Sequence, residues 1–187
     1  MREVRQKMTF LERYHKADTI AAADLARALD GLEVPFIAGG SDSTTLQMPQ
    51  PAVLMASLAA SDEARLRLAL IPLLLRHPEF ALHAGSALQL MTPQVQTGFK
   101  CYYTAALLLQ QKHRDRLETV FSRVHSLPDL FSAELQMSDW PDPDTGLRAL
   151  ADRQKALTGR SINWLGTYEH GAMRLLRTLE GRKRWQA

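Results

Sequence analysis

Residues 92–124 read TPQVQTGFKCYYTAALLLQQKHRDRLETVFSRV. Val95, Phe99, Tyr102, Ala106, Leu109, His113, Leu117, Val120 and Val124 recur at steps of three or four, the spacing that lines side chains along one face of an α-helix. Thr92-Pro93 gives the run a cap followed by a residue that a first helical turn tolerates. At 1.5 Å per residue the run is about 45 Å long, and a break is expected near Lys112 to Asp115. Such a rod is the spine of a helical protein.

The flanks read the same way. Upstream, Ser61 with Asp62 and Glu63 forms an expected helix start, a cap followed by acids at the positive end of the dipole. The nearly all-apolar helix that follows, through LALIPLLL, belongs at the centre of a core. Pro72 is expected to kink it, and His77-Pro78 to end it and open PEFALHAGSALQLM. Further upstream, Val4, Met8, Leu11 and Tyr14 form an amphipathic stripe. A second helix is expected from Asp18 or Thr19, ending at Gly31. Residues 33–38, EVPFIA, read as a short extended segment, and AGGSDSTTLQMPQP at 38–51 reads as a linker.

Downstream, a helix is expected to restart at Ser126-Leu127-Pro128-Asp129 and to carry Leu130, Phe131 and Leu135, before a turn-rich SDWPDPDTG. LRALADRQKALTG should end on Gly159. Ser161 is expected to cap a last helix carrying Ile162, Leu165, Ala172, Leu176 and Leu179, which Gly181 would end. The fold class is therefore all-α, a helical bundle or orthogonal helical array of about seven to eight helices. Residues 1–50 form an expected N-terminal helical arm and linker, and residues 51–187 a helical core domain with basic C-terminal helices.

Composition agrees with a chain that folds: 187 residues, 45% hydrophobic and 23% charged. The charged start, MREVRQKMTFLERYHKAD, is unlike a secretory signal, and Leu66 to Leu75 is interrupted by Arg67 and falls short of the roughly 20 residues that span a bilayer. With the single cysteine, Cys101, these features point to the cytoplasm, without a membrane partner. Net charge is +3, unevenly spread. Residues 146–187 hold nine Lys and Arg against three acids, so +6 lies there and −3 elsewhere. Residues 127–145 hold Asp129, Glu134, Asp139, Asp142 and Asp144 with no Lys or Arg.

Specific chemistries find little support. A P-loop needs a lysine beside Ser or Thr, and none lies between Lys16 and Lys100. No two-ligand helical spacing joins His83, His113, His125 or Glu169-His170, so neither a metal nor another cofactor is implied. Cys101, inside an apolar stripe, reads as a small buried hydrophobe. Trp164 and Tyr168, at i and i+4, read as core packing against the spine; in the alternative reading one of them would be a stacking platform beside Arg174 or Arg177.

Two local patterns resemble known families. Arg76 and His83 satisfy the arginine, four to six residues, histidine pattern of HEPN ribonucleases, although 17 arginines and six histidines make one such match expected by chance. ADLARALDGL followed by an apolar run into Gly39-Gly40-Ser41 resembles the entry to the nucleotidyltransferase fold. That fold needs two acids flanking one apolar residue to hold metal ions, and here only Asp42 and the adjacent Asp62-Glu63 are present. These resemblances imply the alternative function, a HEPN-like ribonuclease with weak catalytic candidates Arg76 and His83, or a nucleotidyltransferase-associated toxin–antitoxin component.

The favoured expectation is a non-enzymatic helical interaction or regulatory module in a nucleic-acid-linked assembly. Arg153, Arg160, Arg174, Arg177, Arg182, Lys183 and Arg184 are its expected nucleic-acid contacts, made to the backbone rather than to bases. A protein partner or a second copy is also expected, with the acidic 139–144 region and the basic last helix as complementary surfaces.

Overall fold

The computed structural model describes residues 20–34, 48–121, 124–137 and 140–186. The stripe of Val4 to Tyr14, the expected caps Asp18 and Thr19, residues 35–38 of the extended segment and the Gly39-Gly40-Ser41 turn lie outside them. In chain order the helices are α1 (Ala22–Gly31), α2 (Pro51–Ala60), α3 (Ala64–Leu68), α4 (Leu70–Arg76), a 3-10 helix (Pro78–His83), α5 (Ala84–Gln89), α6 (Pro93–Lys112), α7 (Arg114–Val120), α8 (Pro143–Thr158) and α9 (Trp164–Gln186). No strand occurs among the described residues. The protein is all-α.

The spine is α6. It packs against α4, α8, α9 and α2, and residues 101–110 are buried without interruption, so this stretch of the helix is enclosed on every side. The expected break falls at His113, the joint between α6 and α7. The rod then stops at Val120, short of Val124.

Pro72 acts three residues before its own position. Its missing N–H removes the partner of the Leu68 carbonyl and its ring crowds that group, and the helix divides at Ala69 into α3 and α4. Both segments stay in the core, with Leu66, Leu70, Ile71, Leu73 and Leu74 fully buried. His77 ends α4 outside the helical region, at φ −127° and ψ 67°, in line with the clash that a following proline imposes on a helical residue.

Several local expectations are corrected. Ser61 closes α2 and α3 begins after Glu63. Gly31 remains helical, and Glu33 instead takes the left-handed turn at φ 54°. Residues 124–130 run without regular structure and residues 132–136 form turns, in place of a helix, and side chains of α6 bond the backbone of the first part. Gln110 donates from Nε2 to the His125 carbonyl at 2.9 Å and accepts from Leu127 N–H at 2.7 Å, while the Tyr103 hydroxyl donates to the Pro128 carbonyl at 3.0 Å. Phe131 and Leu135 are nonetheless buried. Within SDWPDPDTG, Asp142 caps α8 by accepting from Thr145 N–H, and Gly159 ends that helix at φ 65°.

Helix α1 lies on this assembly, with Leu25, Ala28 and Leu29 in the common core. His77 Nε2–H donates to the Leu32 carbonyl at 2.8 Å and Arg76 pairs with Glu33.

Candidate nucleic-acid interface

The last helix begins later and ends later than its sequence suggests. Asn163 caps it, Oδ1 accepting from Gly166 N–H at 2.9 Å, in place of Ser161. Gly181 does not end it: α9 continues to Gln186. Two long-range ties hold the final turns to α7. Glu180 is bound by Arg116, and Lys183 Nζ donates to the Thr119 carbonyl at 2.5 Å. At 1.5 Å per residue α9 is about 33 Å long, so Arg160, which precedes it, and Arg182 to Arg184 lie near opposite ends.

The inner face of α9 carries Trp164, Tyr168, Ala172, Leu175, Leu176 and Leu179, all buried. Trp164 stacks on Tyr168 with centroids 6.5 Å apart, and Tyr168 meets Tyr102 edge-on. The Tyr168 hydroxyl donates to Oε1 of the buried Gln154, and burial pushes its pKa far above the usual tyrosine range. These rings are core. The beginning of α9 therefore offers no open aromatic platform.

Both acids of α9 also turn inward. Glu169 meets Lys112, whose Nζ also bonds Asp144 Oδ1 at 2.6 Å, and His113 Nε2 stands 3.6 Å from the same carboxylate. Burial alone would lower the Lys112 pKa, but the hydrogen bonds to Asp144 and Glu169 outweigh it and hold the ammonium above its ordinary value. Glu180 receives Arg116. Arg174, Arg177, Arg182 and Arg184 face outward, together with Trp185, which is 93% exposed. Arg174 has an interaction of its own. For Arg177, Arg182 and Arg184 no carboxylate lies in pairing range among the described residues.

The other expected contacts sit elsewhere. Arg153, on α8, donates from Nε to the Leu135 carbonyl at 2.8 Å and from Nη2 to Gln136 Oε1 at 2.7 Å, clasping the 131–137 turn. It also lines a cleft of about 400 Å³ with Trp140, Met137, Gln136 and Asp152. Arg160 is exposed in the α8–α9 connection, near Leu157 and Ile162, which are exposed too. The seven basic residues do not form one cluster. Three of them, Arg177, Arg182 and Arg184, are exposed on the last turns of α9, Arg177 and Arg184 on one side and Arg182 about 140° or more round the helix from both.

In the acidic 139–144 region expected to face a partner, Asp142 is the α8 cap and Asp144 binds Lys112; upstream of it, Glu134 pairs with Lys100 at 2.6 Å and Asp129 accepts from Ser132 N–H. Asp139 lies outside the described residues.

Arg76 and His83 have different surroundings. The Arg76 guanidinium pairs with Glu33 and lies 4.8 Å from the centroid of the Phe121 ring, so it ties α1 and the end of α7 to α4. His83 is exposed at the end of the 3-10 helix. Cys101 is fully buried, and burial pushes its thiol up to about 12, away from the thiolate a nucleophile needs. Among the described residues no group of three or more His, Cys, Asp or Glu could hold a metal ion, and no helix is long and apolar enough to cross a membrane.

No family model, curated protein or solved structure matches this chain.

Proposed function

We propose that the protein is a non-catalytic helical interaction module that contacts the backbone of a nucleic acid through the outer, C-terminal part of α9, as a regulator or small subunit of a larger assembly. One observation carries this reading. Glu169 and Glu180 are drawn inward by Lys112 and Arg116, while Arg177, Arg182 and Arg184 stay in solvent. Paired acids of this kind leave the exposed surface of the last turns positive, and positive side chains distributed around the end of a rod suit phosphates rather than base edges.

The test is a titration of labelled RNA and DNA at several salt concentrations, with the full chain and with an Arg177→Ala/Arg182→Ala/Arg184→Ala variant. The wild-type affinity should fall steeply with salt, and the variant should flatten the logarithmic slope by about 2 to 3, at 0.7 to 0.9 per lost phosphate contact. Equal slopes for the two proteins, or no binding by the wild type at low salt, would remove the nucleic-acid role.

A further inference from the structure

Trp185 has no role in the fold. Its side chain is 93% exposed, although burying an indole would contribute on the order of 2 to 3 kcal/mol. A methyl placed on Gly181, one turn back, would meet nothing within 4 Å, so the indole does not fold down onto that turn. Among the described residues no guanidinium stacks on it; the cation–π contact present is Arg76 on Phe121. The other two tryptophans are occupied, Trp164 against Tyr168 and Trp140 against the α8 backbone at Gly146.

Its surroundings select the ligand. The side of α9 leading to Trp185 carries the exposed Arg174, Arg177 and Arg184 and the half-buried Thr178 and Gly181, with Arg182 three residues before the indole. No large apolar side chain of α9 is exposed beside it. A membrane or an apolar protein groove would want a wider greasy face. One flat aromatic ring among cations, by contrast, suits a chain of phosphates that carries free π-faces. Bases inside a duplex are already stacked on one another and cannot offer such a face without unpairing.

We propose that the Trp185 indole is a stacking platform for an unpaired base, so that the end of α9 binds single-stranded RNA or DNA in preference to duplex. This rests on the reading of the α9 arginines as backbone contacts. The arginines supply the salt-dependent attraction, and the indole supplies the discrimination between single strand and duplex. Every base has a π-face, so the preference is for strandedness and not for sequence.

The experiment uses the full chain, with fluorescein-labelled 20-nucleotide oligo(U), oligo(dT) and a 20-base-pair duplex in anisotropy titrations. Trp185→Ala should weaken single-strand binding by about 5- to 100-fold, the range for losing one stacked base, with an unchanged salt slope and little effect on the duplex. Trp185→Phe should restore most of the loss. If Trp185→Ala binds single strands like the wild type, or loses duplex and single strand alike, stacking is overturned while the backbone reading stands. If the wild type binds no nucleic acid at 50 mM salt, both fall. Binding to vesicles containing anionic lipid that depends on Trp185, with no nucleic-acid binding, would overturn both in favour of a membrane surface.

Discussion

Arg116 holds Glu180 with two nitrogens on one carboxylate oxygen, Nη2 at 2.8 Å and Nε at 2.9 Å. The pair joins α7 to α9 and keeps the last acid of α9 away from the arginines beside it in the helix. Arg177 is three residues before Glu180 and Arg184 four after, distances of about 6 Å along a helix surface. Arg116→Ala should therefore release a negative charge into the proposed interface. A unit charge about 6 Å away in water contributes roughly 0.7 kcal/mol, so affinity for a labelled oligonucleotide should fall about threefold at low salt and recover at high salt. Adding Glu180→Ala to Arg116→Ala should restore it. Stability should change by less than about 1 kcal/mol, since both partners are partly exposed.

The buried Tyr168–Gln154 bond gives a second prediction. Tyr168→Phe removes the donor and leaves Gln154 Oε1 unsatisfied in the core, which costs about 1 to 3 kcal/mol. The double variant Tyr168→Phe/Gln154→Met makes both partners apolar at similar volume and should recover most of that loss. Urea unfolding of the four proteins measures the coupling. Simple additivity of the two single changes would mean that the hydrogen bond contributes nothing.

The elements legible in the sequence are those fixed by local rules. The α6 stripe, the Thr92-Pro93 start, the stop at Pro78 and the left-handed Gly159 each depend on residues within one or two turns. The elements misread depend on partners far along the chain. Residues 126–135 look helical, but Gln110 and Tyr103 bond the backbone at His125 and Pro128 from 15 and 25 residues away, and the segment takes no helix. Gly181 looks like a stop, yet Arg116 holds Glu180 just before it and the Thr119 carbonyl holds Lys183 just beyond it, each 64 residues from its partner. The same limit applies to the candidate interface. The spacing of Trp164 and Tyr168 reads as core, and Trp164 is 7% exposed, but no local rule places Trp185, which is 93% exposed. Nor could the charge count reveal that Lys112 and Arg116 would draw Glu169 and Glu180 inward.

Two glycines should respond in opposite ways to alanine. At Gly146 an added methyl would stand 2.8 Å from Leu108 Cδ2 and 2.9 Å from Trp140 Cγ, and displacing an indole and a buried leucine costs about 1 to 3 kcal/mol. Better helix propensity offsets up to about 1 kcal/mol, so Gly146→Ala should lower Tm by several degrees. At Gly181 the methyl meets nothing and the backbone is helical. Gly181→Ala should instead stabilise by up to about 1 kcal/mol. A destabilised Gly181→Ala protein would mean that α9 ends there after all.

His113 makes stability depend on pH. Its side chain is 11% exposed, and Nε2 has no hydrogen bond. Burial lowers its pKa below the ordinary histidine value, and Lys112 and Arg116 push the same way, against the opposing pull of Glu169. The charged form is thus disfavoured in the folded state, while the unfolded chain takes up the proton at about 6.5. Between these two values the unfolded state binds more protons, so stability is complete above about pH 7 and falls as the pH drops through 6.5. Urea midpoints measured between pH 7.5 and 5.5 should decline for the wild type. His113→Gln, which keeps the size and loses the titration, should show a shallower decline over that window. Identical slopes for the two proteins would assign the pH dependence to other groups.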